Sequence, residues 1–552
     1  MASKFWVGGA LNTNWSEDTA GVTNWAATSG GAGTAAIPTL DDDVFFDANS
    51  GTGASVLNQA FTINSLDCTG LGALTLTHNA AVTLTIDGAG VVFKLVAAMT
   101  YTLGSATTSA VTFTGTSGTT TITSAGKTFG NVTINGAGGT FNLADALLTG
   151  NTATLNVLAG TFSANNQNLT VGLFDSSNAT TRVITMGCGT WTISGVGTCF
   201  TTATNTNLTV NANTSTINFT NSTSTARTMT TGNGPIFNNV TISAGTGGFT
   251  TIRVNVGGNF NCVGYTGALT VSTSGLDITG NMVLGTGMTI ATGTLAISML
   301  ATSGTATITS NGVTINCPVT LDGVGGTFSL VDALVMDAAS TLTLTNGIFT
   351  ANNQNVTTGL FASSNANIRT ITMGSGTWTL SGVGTVWTTA TTTNLTLTEG
   401  TSTIKLTDAS ATAKTFSGGG ETFNNLWYAP GAGTGTLNFV GSNTFNDFRD
   451  NGSAAHSVLF TAASTNTFAS WTGFTGNLVT IGSITAANHN LAKTGGGVID
   501  VAPAAISRSQ ATPATTWYGD SATDGGNNSG WIFTVAPTGP PVGSIMLMGA
   551  GR

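Results

Sequence analysis

One stretch of this chain is written twice. GTFSANNQNLTVGLFDSSNATTRVITMGCGTWTISGVGT, beginning at Gly160, returns as GIFTANNQNVTTGLFASSNANIRTITMGSGTWTLSGVGT, beginning at Gly347. Phe162 pairs with Phe349, Arg182 with Arg369 and Trp191 with Trp378, each pair 187 residues apart. Upstream, Asp145 of TFNLADAL matches Asp332 of TFSLVDAL at the same offset, and downstream Phe237 matches Phe423 at 186, a slip that a turn absorbs. Copy one is placed at 118–303 and copy two at 304–490, so the fold must be one that can be lengthened by repetition.

Within each copy, short runs such as ATLNVLAGTF, NLTVNA, STINFT and NVTISAG alternate apolar with polar residues, the mark of strands with one buried face. Gly, Asn and Ser separate the runs, and no helical periodicity occurs. Only 6% of residues are charged, against about a quarter in ordinary domains. Yet 40% are hydrophobic and the mean hydropathy is +0.25, which excludes disorder. A propeller needs a blade period of about 40 to 50 residues and a sandwich needs long connections, whereas stacked coils need only strand and turn. The expected fold is therefore all-β, a right-handed parallel β-helix or β-solenoid rod. With about 20 residues per coil and about 4.8 Å per rung, its coiled part would extend on the order of 100 Å. ANNQN, at Ala164 to Asn168 and Ala351 to Asn355, is expected to form a turn ladder in which like side chains on successive coils share hydrogen bonds.

The expected organisation is an N-terminal cap or attachment module at 1–60, first coils at 61–117, the two copies, a C-terminal cap at 491–534 and a Pro-containing apolar tail at 535–552. Trp6, Trp15, Trp25, Trp517 and Trp531 are the expected capping and attachment residues, since a solenoid must cover its raw strand edges. In the tail, three prolines precede Ile545, Met546, Leu547 and Met548, an apolar run expected either to dock onto a partner, the favoured reading, or to fold back onto its own cap.

The opening KFWVGGALNTNWSEDTAGVTNWAATSGGAGTAAIPTLDDDVFFDANSG and the closing TTWYGDSATDGGNNSGWIFT resemble terminal modules of β-solenoid proteins of bacteriophage particles and of related bacterial surface adhesins. The resemblance implies a place on a virion, partners among other virion proteins, assembly as a homotrimer, and contact with a host surface glycan. The opening residues contain no apolar run of the kind that leads a signal peptide, which favours a virion protein made in the host cytoplasm over a secreted adhesin.

Candidate chemistry is sparse. Glu17, Glu399 and Glu421 are the only glutamates, and Glu399 and Glu421, 22 residues apart, could stack one coil from each other; solvated carboxylates are the favoured reading over a glycosidase pair. Asp145 and Asp332 read as turn caps or ladder partners rather than catalysts. Asp41, Asp42, Asp43 and Asp47 lack the spacing of a calcium loop. His78, His456 and His489 show no triad spacing, and Gly136 to Gly139 lie between strands without a following helix, so they form no phosphate cradle. The five cysteines, Cys68, Cys188, Cys199, Cys262 and Cys317, are expected to be free packed thiols rather than a Cys188–Cys199 bridge or a zinc site.

A net charge of -9 argues against nucleic acid, no apolar run is long enough for a membrane helix, and neither cofactor nor metal is expected. So few charges also predict that salt hardly affects binding. The expected function is a non-enzymatic structural or adhesive fibre or spike protein of a phage virion. The alternatives are a polysaccharide-depolymerising tailspike and a bacterial cell-surface β-helix adhesin.

Overall fold

The computed structural model describes residues 1–232, 234–293, 295–474 and 476–536, Thr273 by its backbone alone. No helix occurs among the described residues: the protein is all-β, a parallel β-solenoid of about 22 turns. The chain divides into two compact units, Met1–Leu300 with Thr309–Val313, and Ala301–Ile308 with Thr314 onward.

Local sequence explains the strands directly. In Thr190–Ile193 (TWTI), Thr216–Phe219 (TINF) and Asn239–Ile242 (NVTI) the second and fourth residues are buried and the first and third are half-buried. The β-branched or aromatic member points inward, while Thr or Asn faces out on the pleat. Parallel pairing then aligns like with like. In the first unit one buried column runs Leu147, Leu169, Trp191, Ile217, Val240, Phe260, Met282. A second runs Val132, Leu155, Phe174, Phe200, Met229, and a third Phe141, Phe162, Ile184.

The second unit holds buried columns of its own. Leu334, Val356, Trp378, Ile404, Leu426, Phe448 and Trp471 form one; Val319, Leu342, Phe361, Trp387, Phe416, Phe439 and Phe460 form another. Its aromatic rungs are denser. Phe439 and Phe460 stack at 4.9 Å between ring centroids, and Phe445 and Phe468 at 5.5 Å, both with rings 12° apart.

The coil is less regular than a uniform period of about 20 would make it. Leu155 pairs with Phe174, 19 residues on, but Phe200 pairs with Met229, 29 residues on. The corners carry the difference.

Two expectations about the turns need correction. ANNQN forms tight turns, with Asn165, Asn166, Asn352 and Asn353 at φ between 49° and 65°, but its side chains do not form a ladder of like with like. Asn166 Oδ1 instead accepts from the Cys188 amide at 3.1 Å and Asn168 Oδ1 from the Thr190 amide at 2.8 Å; Asn353 and Asn355 do the same for Ser375 and Thr377. Backbone amides at the corners lack a strand partner, so the asparagines satisfy them. Gly136 to Gly139 lie inside one strand, Asn131–Leu143, at the bend where it passes from one face to the next, rather than between strands. A Cβ at Gly136 would come within 2.1 Å of the Gly115 carbonyl oxygen, so the bend admits no side chain there.

Candidate functional site

The sequence-predicted residues are mostly buried in structural work. Trp6, Trp15 and Trp25 pack edge to face, Trp25 lying 5.2 Å from each of the other two, and all three rest on Phe46. They are almost fully buried, with the Trp15 and Trp25 indole N–H groups donating to Ser55 Oγ and the Trp15 carbonyl. Phe5 and Trp6 pair antiparallel with Ala26 and Trp25, a local departure from the parallel ladder. Trp517 and Trp531 lie on parallel rungs themselves, in register with Ile499. Buried indoles of this kind suit the covering of an end. Ile545 to Met548 lie outside the described residues.

Asp145 caps a turn as expected, its two carboxylate oxygens accepting from the Ser124 and Ala125 amides at 2.7 Å. Asp42 accepts from Thr39 and approaches Lys4 at 3.9 Å, Asp43 accepts from Asn64 and Ser65, and Asp47 caps Asn49, so the acidic run is divided among separate partners. Among the described residues no group of three or more His, Cys, Asp or Glu converges as a ligand set. None of the five cysteines is in a disulfide; Cys188 is exposed, unlike the packed thiol expected, because it lies in the turn that follows the buried Met186. Glu399 and Glu421 are neighbours, and burial together with the Glu399 charge holds the Glu421 carboxyl above its usual range.

The three histidines are buried and separate. His78 bonds Tyr101 Oη and the Val82 carbonyl, His456 bonds Asp450, and His489 bonds Ser483 while stacking on Phe460. Arg182 and Arg369 are also buried, each guanidinium wrapped by carbonyls of its own and the following turn: Ser176, Thr180, Thr204 and Thr206 for Arg182; Ser363, Asn367, Thr391 and Thr393 for Arg369. These cations staple corners.

A different group faces solvent on the second unit. Strands Thr403–Leu406 (TIKL), Thr422–Tyr428 and Thr444–Asp450 pair in parallel, with Lys405, Trp427 and Arg449 in one register position. Their neighbours Ile404, Leu426 and Phe448 point inward, so alternation turns these three outward. Lys405 Nζ lies 4.0 Å from the Trp427 ring centroid and Arg449 Cζ 4.5 Å from it. Being on the rungs before and after, the two cations cover opposite faces of the indole. The adjacent outward column holds Thr403, Asn425, Asp447 and Ser470. Between the columns lies an open groove of about 210 Å³, with Asp447, Asn425 and Arg449 among its walls. The corresponding column of the first unit is Thr192, Asn218, Thr241, Asn261, which is wholly neutral.

Sequence reading missed this group. Its signal was present in IKL, LWY and FRD: a basic or aromatic residue that follows an inward Ile, Leu or Phe, recurring every 22 residues. The chain matches no protein-family model, no curated protein and no solved structure.

Proposed function

We propose that this protein is a non-enzymatic structural and adhesive component of a phage virion, a spacer built of stacked turns that contacts a host surface glycan through the outward Lys405–Trp427–Arg449 face. The observation that carries the contact is the groove beside that column, where hydroxyl, amide, carboxylate and guanidinium groups converge on an otherwise Thr-, Ser- and Asn-rich surface. Few fixed polar groups in a concavity are what a small polyhydroxylated ligand needs for orientation. Continuous buried columns support the spacer role, because each turn is packed on the next. The phage assignment rests on the resemblance of the terminal segments.

Assembly as a homotrimer belongs to the same proposal. Val324 and Ile368 are 65% and 71% exposed, and Ile348 is 37% exposed, where the first unit has Ala137, Thr181 and Thr161. Apolar side chains in such company favour cover by further copies. Labelling intact phage particles with antibody to this chain tests the reading: decoration of an external appendage is expected, and particles that lack the chain overturn it. Light scattering of the purified chain should give three times the monomer mass, and a monomer at micromolar concentration removes the trimer.

A further inference from the structure

We infer that Lys405 and Arg449, held apart by Trp427, form a two-point clamp for an acidic glycan, a polyhydroxylated chain whose successive oxyanions reach cations seated 4.0 Å and 4.5 Å from one ring centroid. The inference rests on the glycan-contact reading and adds the charge of the ligand to it.

Five other cations among the described residues are spent on the protein itself. Lys414 pairs with Asp408 at 2.7 Å, Lys127 donates to the Ala97 and Met99 carbonyls, Lys493 donates to the carbonyls of its own turn, and Arg182 and Arg369 are buried. Lys405 Nζ and the Arg449 Nη atoms have neither a hydrogen bond nor an ion pair among the described residues; Arg449 uses only Nε, donating to Asn451 Oδ1 at 2.6 Å. Unengaged nitrogens on a chain so poor in charge are an available anion-binding resource. Guanidinium and ammonium bonds to an oxyanion are the stronger class of hydrogen bond.

The indole explains the spacing. With a cation on each face, Trp427 cannot serve as a platform for a sugar ring. Its quadrupole instead attracts both cations. That attraction limits the freedom of two long side chains, which lowers the entropy lost when a ligand binds. Trp427 is thus a positioning residue. Trp427 Nε1 is also buried without a hydrogen-bond partner.

Asp447 fixes the rest of the ligand's chemistry. Its carboxylate already accepts from the Ser470 and Thr472 hydroxyls, and a carboxylate has further lone pairs for sugar hydroxyls at the groove. Two cations and one carboxylate leave the site with one net positive charge, in contrast to -9 for the chain. A simple anion would use the cations and ignore Asp447, Asn425 and Thr403. An acidic sugar chain uses both sets. The expectation that salt hardly affects binding follows from average composition; the proposed site, which concentrates two of 13 cations on one ring, carries the opposite expectation.

The test titrates the full chain with a hyaluronan hexasaccharide, which carries a carboxylate on alternate sugars, and with its fully methyl-esterified, uncharged form, by calorimetry. The acid should bind at least about tenfold more tightly than the ester, and Lys405→Gln and Arg449→Gln should each cost about tenfold, as loss of one charge-assisted bond implies. Trp427→Phe should weaken binding less than Trp427→Leu. Each variant must retain the wild-type melting temperature, and Asn218→Gln in the first unit should leave binding unchanged. Equal binding of acid and ester overturns the acidic clamp while leaving the glycan contact standing. Binding of neither overturns both. Inorganic phosphate displacing the acid at equal concentration overturns the glycan assignment and leaves a simple oxyanion site.

Discussion

His456 Nε2 lies 2.8 Å from Asp450 Oδ2 with both side chains almost fully buried. Burial alone lowers an imidazole pKa, but the hydrogen bond and charge of Asp450, helped by the Ala454 carbonyl, outweigh it and hold His456 above its ordinary 6.5. A raised folded value means that the stabilisation is fully present below pH 6.5 and is lost as pH rises through the folded value. Asp450→Asn should remove this dependence and cost about 3 to 5 kcal/mol, since it strands a buried partner. Urea unfolding across pH 5 to 8 measures both.

His489 has the opposite sign. Burial against Phe460 pushes its pKa down to about 4, so the folded state holds it neutral. Its contribution is present above 6.5, falls as pH drops, and is lost by about pH 4, on the order of 3 kcal/mol in all. His78, lowered chiefly by burial, acts in the same direction. His489→Phe should keep the stacked ring and flatten the acid limb of stability; an unchanged acid limb would show that His489 does not carry it.

Arg182 and Arg369 should be equally intolerant of replacement. Arg182→Met and Arg369→Met each remove the donor of four main-chain carbonyls, of which those of Ser176 and Ser363 are buried, and an unsatisfied buried acceptor costs about 1 to 3 kcal/mol before relaxation. Lysine should rescue neither, because it lacks the planar fork of donors. Thermal melting of the four variants checks this.

Of the five thiols, Cys188 alone is exposed. Burial raises Cys199 to about 11 and pushes Cys68 and Cys262 up further, so these stay protonated and shielded. A disulfide reagent should therefore label one thiol fast in the native chain, and Cys188→Ser should abolish that phase.

Much of the architecture was legible because strand alternation is local. TWTI, TINF and NVTI declare which residues go inward, and the parallel columns follow once like strands stack. The capping role of Asp145 was legible for the same reason, since an aspartate beside a strand end has few other partners. Corner geometry was not. Whether Asn166 bonds another asparagine or the Cys188 amide depends on how the next coil is offset, and the coils step by unequal lengths. The Lys405–Trp427–Arg449 face was hidden differently: the three residues are 22 apart in sequence, and only the register of three strands brings them together. Counting charges over the whole chain diluted the one place where they gather.

The central claim is that this surface holds a glycan without cutting it. Incubating the purified chain with a long acidic polysaccharide and following polymer length by size-exclusion chromatography tests it most directly. The account predicts that the polymer co-elutes with the protein at undiminished length, and that Lys405→Gln with Arg449→Gln releases it. Progressive shortening of the polymer, abolished by Glu399→Gln or Glu421→Gln, would contradict the account and make the chain a depolymerase.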